Sequence, residues 1–143
     1  MIIMSVDYGD TRTGVAICDK REILASPVTV ITEKYRPNLI KKLIEIIDER
    51  KPELIVVGLP KNMDGSCGER CEKCTELSDE LREATGIPVD MWDERLTTVS
   101  AYRALNEADF HGRKTRQVID AVAAVTILQD YLARRKSQNS SIT

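Results

Sequence analysis

Ile2-Ile3-Met4-Ser5-Val6-Asp7-Tyr8-Gly9-Asp10-Thr11-Arg12-Thr13-Gly14-Val15-Ala16-Ile17-Cys18 is the stretch on which the fold turns. An apolar run from Ile2 to Asp7 ends in a carboxylate and a Tyr-Gly turn, the pattern of a first strand. Gly14 to Cys18 reads as a second strand. Ile23 to Ile31 reads as a third, and Pro27 pushes it toward a sheet edge, because proline has no N–H to give the ladder. Three strands joined by short turns make an antiparallel meander.

Working outward, the period then changes. From Pro37, Leu39, Ile40, Leu43, Ile44, Ile46 and Ile47 recur at helical spacing, with Pro37 suited to a first helical turn. Leu54-Ile55-Val56-Val57-Gly58 is a continuous apolar run, which implies a strand covered on both faces. Ser66 followed three residues later by Glu69 reads as a capping box, starting a second helix that ends before Gly86 and Pro88. Val89 to Trp92 is a fifth strand. Thr97 caps a helix to about Ala108, and a last helix runs from about Arg116 to Arg134. The order β-β-β-α-β-α-β-α-α, with right-handed crossovers, predicts an α/β domain. Its mixed five-stranded sheet has three antiparallel strands plus two parallel ones, with helices on both faces.

The 143 residues suit one domain, expected over 1–135, followed by a polar, disordered tail over 136–143. Aromatic residues make up 4%, so the core is aliphatic. A net charge of −2 argues against nucleic-acid binding by bulk charge alone, yet suits carboxylates holding divalent cations. There is no apolar run of membrane-spanning length and no signal peptide at Met1 to Asp7, which predicts a cytoplasmic protein with no membrane partner. The 4 cysteines, Cys18, Cys67, Cys71 and Cys74, are then expected as free thiols rather than as a disulfide framework.

Three carboxylates stand out. Asp7 ends the first strand, a position that faces the ligand crevice in open α/β sheets. Glu94 follows the fifth strand in Trp92-Asp93-Glu94-Arg95-Leu96-Thr97. Asp120 sits among Val118, Ile119, Ala121, Val122, Ala123, Ala124 and Val125, where its charge needs a partner. Taken alone, Asp120 reads as a helix carboxylate paired with a nearby Arg or Lys. Taken with Asp7, Glu94 and the fold order, it reads as part of an acidic site for hard cations.

Other stretches suit substrate. The amides of Tyr8 to Gly14, with Thr11 and Thr13, are placed to approach a phosphate; the same residues also make an ordinary hairpin turn. Their Asp-x-Gly-x4-Gly pattern resembles the first phosphate loop of actin-like ATPases, which need two such domains where this chain has room for one. Lys61 and Asn62 lie in the long polar loop after the fourth strand, where a substrate loop belongs. His111 to Arg116 is the densest basic stretch ahead of the tail, and Lys114 and Arg116 suit phosphate contacts. His111, the only histidine, has no assigned role. Cys67-x3-Cys71-x2-Cys74 matches the spacing of radical SAM cluster ligands, but it is also helical. Cys71 and Cys74 are therefore expected as buried helix residues without metal, and Cys67 as the reactive thiol near a helix N-terminus.

Taken together these stretches resemble the YqgF/RuvX family over residues 2 to about 133. The resemblance rests on Val6-Asp7-Tyr8-Gly9 through Thr13-Gly14-Val15-Ala16, then Val57-Gly58-Leu59-Pro60 with Asn62-Met63-Asp64-Gly65. Asp93-Glu94-Arg95-Leu96-Thr97 and Asp120 with Ala123-Ala124 and Ile127-Leu128 complete it. It implies a ribonuclease H-like fold with the acidic triad on Asp7, Glu94 and Asp120. The implied activity is a nuclease that processes the 5′ end of pre-16S ribosomal RNA, or one that resolves Holliday junctions in DNA. The chemistry expected is two-metal hydrolysis, with Mg²⁺ or Mn²⁺ ions about 4 Å apart held by Asp7, Glu94 and Asp120. Arg95, Lys114 and Arg116 are candidates for holding phosphates. Rival readings are a non-catalytic RNA-binding assembly factor and a nucleotide-binding domain using the Gly9 to Gly14 loop. RNA and branched DNA remain open as partners, with a homodimer as one arrangement of the chain.

Overall fold

The computed structural model describes residues 1–96 and 113–142, with side chains described for 1–95 and 120–138. Its strands are β1 (Ile3–Asp7), β2 (Arg12–Cys18), β3 (Ala25–Thr32), β4 (Leu54–Leu59) and β5 (Val89–Asp93). Its helices are α1 (Arg36–Arg50), α2 (Glu69–Thr85) and α3 (Arg113–Ile142), with a 3-10 turn at Glu94–Leu96. The sheet order is β3-β2-β1-β4-β5. β1 pairs antiparallel with β2 and parallel with β4, and β5 extends the sheet parallel to β4. Pro27 lies on β3, which forms one edge, as a missing donor requires.

Two apolar layers cover the sheet. Ile3, Ala16, Val56 and Trp92 pack with Ala123, Ala124, Ile127 and Leu128 of α3 on one face. Met4, Val6, Val15, Ile55 and Val57 pack with Leu39, Leu43 and Ile47 of α1 and Leu77 and Leu81 of α2 on the other. The alternation along β1 is strict, with period two. Met4 and Val6 face α1 and α2, while Ile3 and Ser5 face α3, so Asp7 shares the α3 face. Ser5 fixes that helix by donating its hydroxyl to the Ala124 carbonyl at 2.7 Å.

Two expectations are corrected. The second helix begins at Glu69 rather than Ser66, with Gly68 as N-cap and no side-chain cap. Asp64 accepts both the Ser66 N–H (2.9 Å) and its hydroxyl (2.6 Å), which spends Ser66 on the preceding turn. Cys67 and Cys71 are joined in a disulfide rather than standing as thiols. The turn before the helix brings exposed Cys67 back onto Cys71, while Cys71 and Cys74 are buried in α2 as their stripe predicts. α3 runs on to Ile142, through the stretch expected as a tail. Once a helix is nucleated, each further residue adds a hydrogen bond without a new nucleation cost. The helix expected from Thr97 to about Ala108, and His111, lie outside the described residues.

Candidate active site

The ends of β1, β2 and β4 form a row on the α3 face. Asp7 is paired with Gly14 of β2. On its other side lies Gly58, one step beyond the Val6–Val57 pair of β1 with β4. The carboxylate of Asp7 thus has a glycine in each neighbouring strand, and each glycine makes room for another acidic residue.

A Cβ on Gly14 would stand 2.3 Å from the backbone oxygen of Asp120 and 3.3 Å from Cβ of Ala124. Only glycine lets α3 descend that far onto β2. A Cβ on Gly58 would stand 2.7 Å from Oε1 of Glu94 and 2.8 Å from Cδ1 of Ile127. Glu94 opens the turn after β5 and lies over β4 there, 5% exposed, while Asp7 is 6% exposed. Asp7, Glu94 and Asp120 therefore come to one end of the sheet, on one face.

They do not stand as a ready ligand set. Among the described residues, no three His, Cys, Asp or Glu side chains are grouped closely enough to hold a metal ion. Asp120 is turned to Arg12, whose Nε donates to its Oδ2 at 2.8 Å. The pair is partly buried, with about a quarter of each side chain exposed. The guanidinium supplies the positive charge that a carboxylate in this apolar stretch of helix requires. Arg12 is the residue that sequence reasoning passed over, although it lies inside the quoted β1–β2 turn.

The expected substrate contacts divide. Thr13 is fully buried in β2, and its hydroxyl finds no hydrogen-bond partner among the described residues, so it cannot meet a phosphate in this conformation. Period two sends it to the α1–α2 face beside Val15. Thr11 is half-buried, and its carbonyl accepts the Glu33 N–H at 2.9 Å. Asn62 spends its amide on the Ser66 hydroxyl (2.9 Å), closing its own turn. Arg95 grips the Asp93 carboxylate through Nη2 at 2.7 Å and reaches the Met63 carbonyl at 3.3 Å, so it ties β5 to the loop after β4. That grip holds the Asp93 carboxyl below the usual range, with the charge of half-buried Lys61 adding to it. Lys114 and Arg116 fall in the first turns of α3, and their side chains lie outside those described. Met63, at the tip of the loop, is 89% exposed.

The model of the family described as "RuvX: Holliday junction resolvase" matches residues 1–134. The chain belongs to the RuvX family. Among RuvX relatives, a protein of Halothermothrix orenii named "Putative pre-16S rRNA nuclease" is 48% identical over 132 residues, covering 92% of this chain and 94% of its own. Proteins of the same name from Clostridium kluyveri and Thermoanaerobacter pseudethanolicus are 42% and 43% identical. They cover 94% and 96% of this chain and 98% and 100% of their own. The RuvX chain also shares its fold with RuvC of Thermus thermophilus bound to a Holliday junction substrate. The TM-score there is 0.60 at 13% identity, over 95% of this chain and 96% of that one. The fowlpox virus Holliday junction resolvase gives a TM-score of 0.54 at 15% identity, over 96% and 99%. These are resolvases of ribonuclease H-like fold, the architecture expected from the sequence. Among the described residues, no helix is long and apolar enough to cross a membrane.

Proposed function

We propose that this RuvX chain is a cytoplasmic nuclease that hydrolyses phosphodiester bonds at the 5′ end of pre-16S ribosomal RNA. The observation that carries the reading is the Gly14–Asp7–Gly58 row, which brings Glu94 and Asp120 over the glycines that flank Asp7. The names of the relatives at 42–48% identity supply the RNA substrate. The description of the family model favours a second substrate, a four-way DNA junction, for the same site.

The donor set suits hard divalent cations, since Asp7, Glu94 and Asp120 offer only carboxylate oxygens. Mg²⁺ or Mn²⁺ bound there supplies an activated water and charge stabilisation at the leaving oxygen. Asp7, on the middle strand of the sheet, would hold the ions together with Glu94, which is held against β4, and with Asp120, whose carboxylate would have to be freed from Arg12 to do so. Arg12, which pairs with Asp120, would then offer a guanidinium suited to bidentate grip on a phosphate oxygen pair. Arg95 stays on Asp93 and shapes the loop that borders the substrate.

The test is single-turnover cleavage of a pre-16S leader RNA and a four-way DNA junction side by side, with Mg²⁺ or Mn²⁺. An Asp7→Asn variant serves as control. The parent should cleave the leader, and the variant should lose that activity by orders of magnitude, because it keeps the side-chain shape but not the charge. Equal cleavage by both would reject the site. Binding of RNA without cleavage by either would favour a non-catalytic assembly factor.

A further inference from the structure

A disulfide joins Cys67 to Cys71 at the start of α2. Cys67 is exposed and lies in the segment before α2, whereas Cys71 is fully buried in the first turn of that helix. The start of α2 has no side-chain cap, because its N-cap is Gly68. A helix start without a cap frays readily. The covalent tie from Cys71 back to Cys67 does here what a capping side chain does elsewhere.

Two contacts lead from this tie to the acidic residues. Arg70 lies between the two cysteines in sequence. Its Nη1 meets Oδ1 of Asp10 at 2.6 Å, its Nη2 donates to the carbonyl of Tyr8, and its guanidinium sits 5.1 Å from the Tyr8 ring centroid. Tyr8 follows Asp7 directly. On the other side, the turn of Asn62 to Ser66 runs into Cys67. That turn is closed by the Asn62 N–H on the Ser66 carbonyl at 3.0 Å and touches Arg95 through Met63. Arg95 follows Glu94 directly. The disulfide thus joins the segment that steadies the residue after Asp7 to the loop that meets the residue after Glu94.

We propose that Cys67–Cys71 is a redox-sensitive clamp that holds the substrate loop and the β1–β2 turn in their binding arrangement and releases both on reduction. Its co-reactant is a dithiol. One dithiol thiolate attacks the exposed Cys67 sulfur, the S–S bond breaks, and the electron pair leaves on the Cys71 sulfur, which takes up a proton. The second dithiol sulfur then displaces Cys67 from the mixed disulfide and closes its own ring. Two electrons and two protons pass in all from the dithiol to the cysteine pair. In the reduced protein the first turn of α2 frays, and Arg70 loosens from Tyr8 and Asp10. The consequence for nucleic acid rests on the nuclease reading above; the conformational change does not.

The test compares the full chain oxidised, reduced with dithiothreitol, and carrying Cys67→Ser. Alkylation after denaturation should count two thiols in the oxidised protein, against all 4 cysteines after reduction. Hydrogen exchange in residues 8–12 and 62–72 should speed up on reduction by about threefold to thirtyfold, the upper figure being the whole closure entropy of so short a loop. Affinity for a labelled pre-16S leader RNA should fall within the same range. Cys67→Ser should match the reduced protein and ignore dithiothreitol; because Cys67 is exposed, the substitution leaves the core alone. The clamp is overturned if the pair does not oxidise, or if exchange in those segments and affinity are equal in both states. If exchange responds but neither state binds RNA or junction DNA, the clamp stands and the nuclease reading falls. If the leader is cleaved equally well in both states with equal exchange, the reverse holds.

Discussion

Replacing Gly14 with Ala tests the geometry of the site in one methyl group. A Cβ there lies 2.3 Å from the Asp120 carbonyl oxygen, so α3 must rise by about 1 Å to restore an ordinary contact. The obstacle is backbone, which cannot swing aside as a side chain does. Forced overpacking costs about 1–3 kcal/mol. Lifting α3 also strains the 2.7 Å bond from Ser5 to Ala124, worth about another 1 kcal/mol. The reduced entropy of the unfolded alanine chain returns about 0.4–1 kcal/mol. The net loss of about 1–3 kcal/mol lowers the melting temperature by roughly 4–12 °C for a chain of this size. Cleavage should fall further, by about 100-fold, since Asp120 moves with the helix and misplacement of 1 Å is that costly. Gly58→Ala is the contrast. It meets the ends of Glu94 and Ile127, which can give way, so stability should fall less while cleavage still drops. Gly86→Ala is the control, with a positive φ of 70° and nothing within 4 Å among the described residues. It should cost about 1 kcal/mol and leave cleavage unchanged. The reasoning is refuted if Gly14→Ala melts with the parent in calorimetry and cleaves the leader at the parental rate.

Arg12→Ala should raise Mn²⁺ affinity several-fold in calorimetric titration, because Asp120 no longer has a competing cation, yet lower RNA affinity and cleavage at least tenfold; unchanged metal affinity would disprove the competition. Lys114→Ala and Arg116→Ala should weaken RNA binding while reducing the slope of log affinity against log salt by about one each, measured by fluorescence anisotropy. Tyr131 should titrate above the ordinary tyrosine value near 10 in ultraviolet absorbance. Burial pushes its phenol up to about 12, and the Asp90 carboxylate that accepts its hydroxyl hydrogen bond adds to the shift. A raised phenol favours the folded state below the unfolded value near 10, so stability should decline as pH climbs from about 10 to 12, and Tyr131→Phe should flatten that decline. Glu22 behaves oppositely. Arg135 holds its carboxyl low, so the stability it contributes near neutral pH should vanish as pH falls below about 4, and Glu22→Gln should show a shallower loss of melting temperature on acidification than the parent.

The strands were legible because each is a short apolar or alternating run between turn residues, and Pro27 correctly marked an edge. Asp7 was legible because it ends the run that must be central. Arg12 was missed for a specific reason. The second strand was read from Gly14, two residues late; begun at Arg12, the period of two places Arg12 and Gly14 on the α3 face and buries Thr13 opposite. The pairing of Arg12 with Asp120 spans 108 residues, and nothing local announces it. The two glycines beside Asp7 carried a usable signal, since glycine inside a strand marks close approach of another group. The start of α2 was misread because Ser66 and Glu69 make a capping pattern, but Asp64 competes for the same serine and wins. The cysteines were judged by compartment and spacing, and neither shows that a turn folds Cys67 back upon Cys71.

The position of α3 has a consequence for when the molecule becomes active. Arg12 waits for Asp120, Ser5 for Ala124 and Glu22 for Arg135, across 108, 119 and 113 residues. Contacts so distant in sequence close late in folding, because the entropy of bringing the ends together must be met first. During synthesis the N-terminal meander emerges with Asp7 already on it but with no helix over that face. The acidic end of the sheet is completed only when α3 has been made and has docked, more than 100 residues after Asp7.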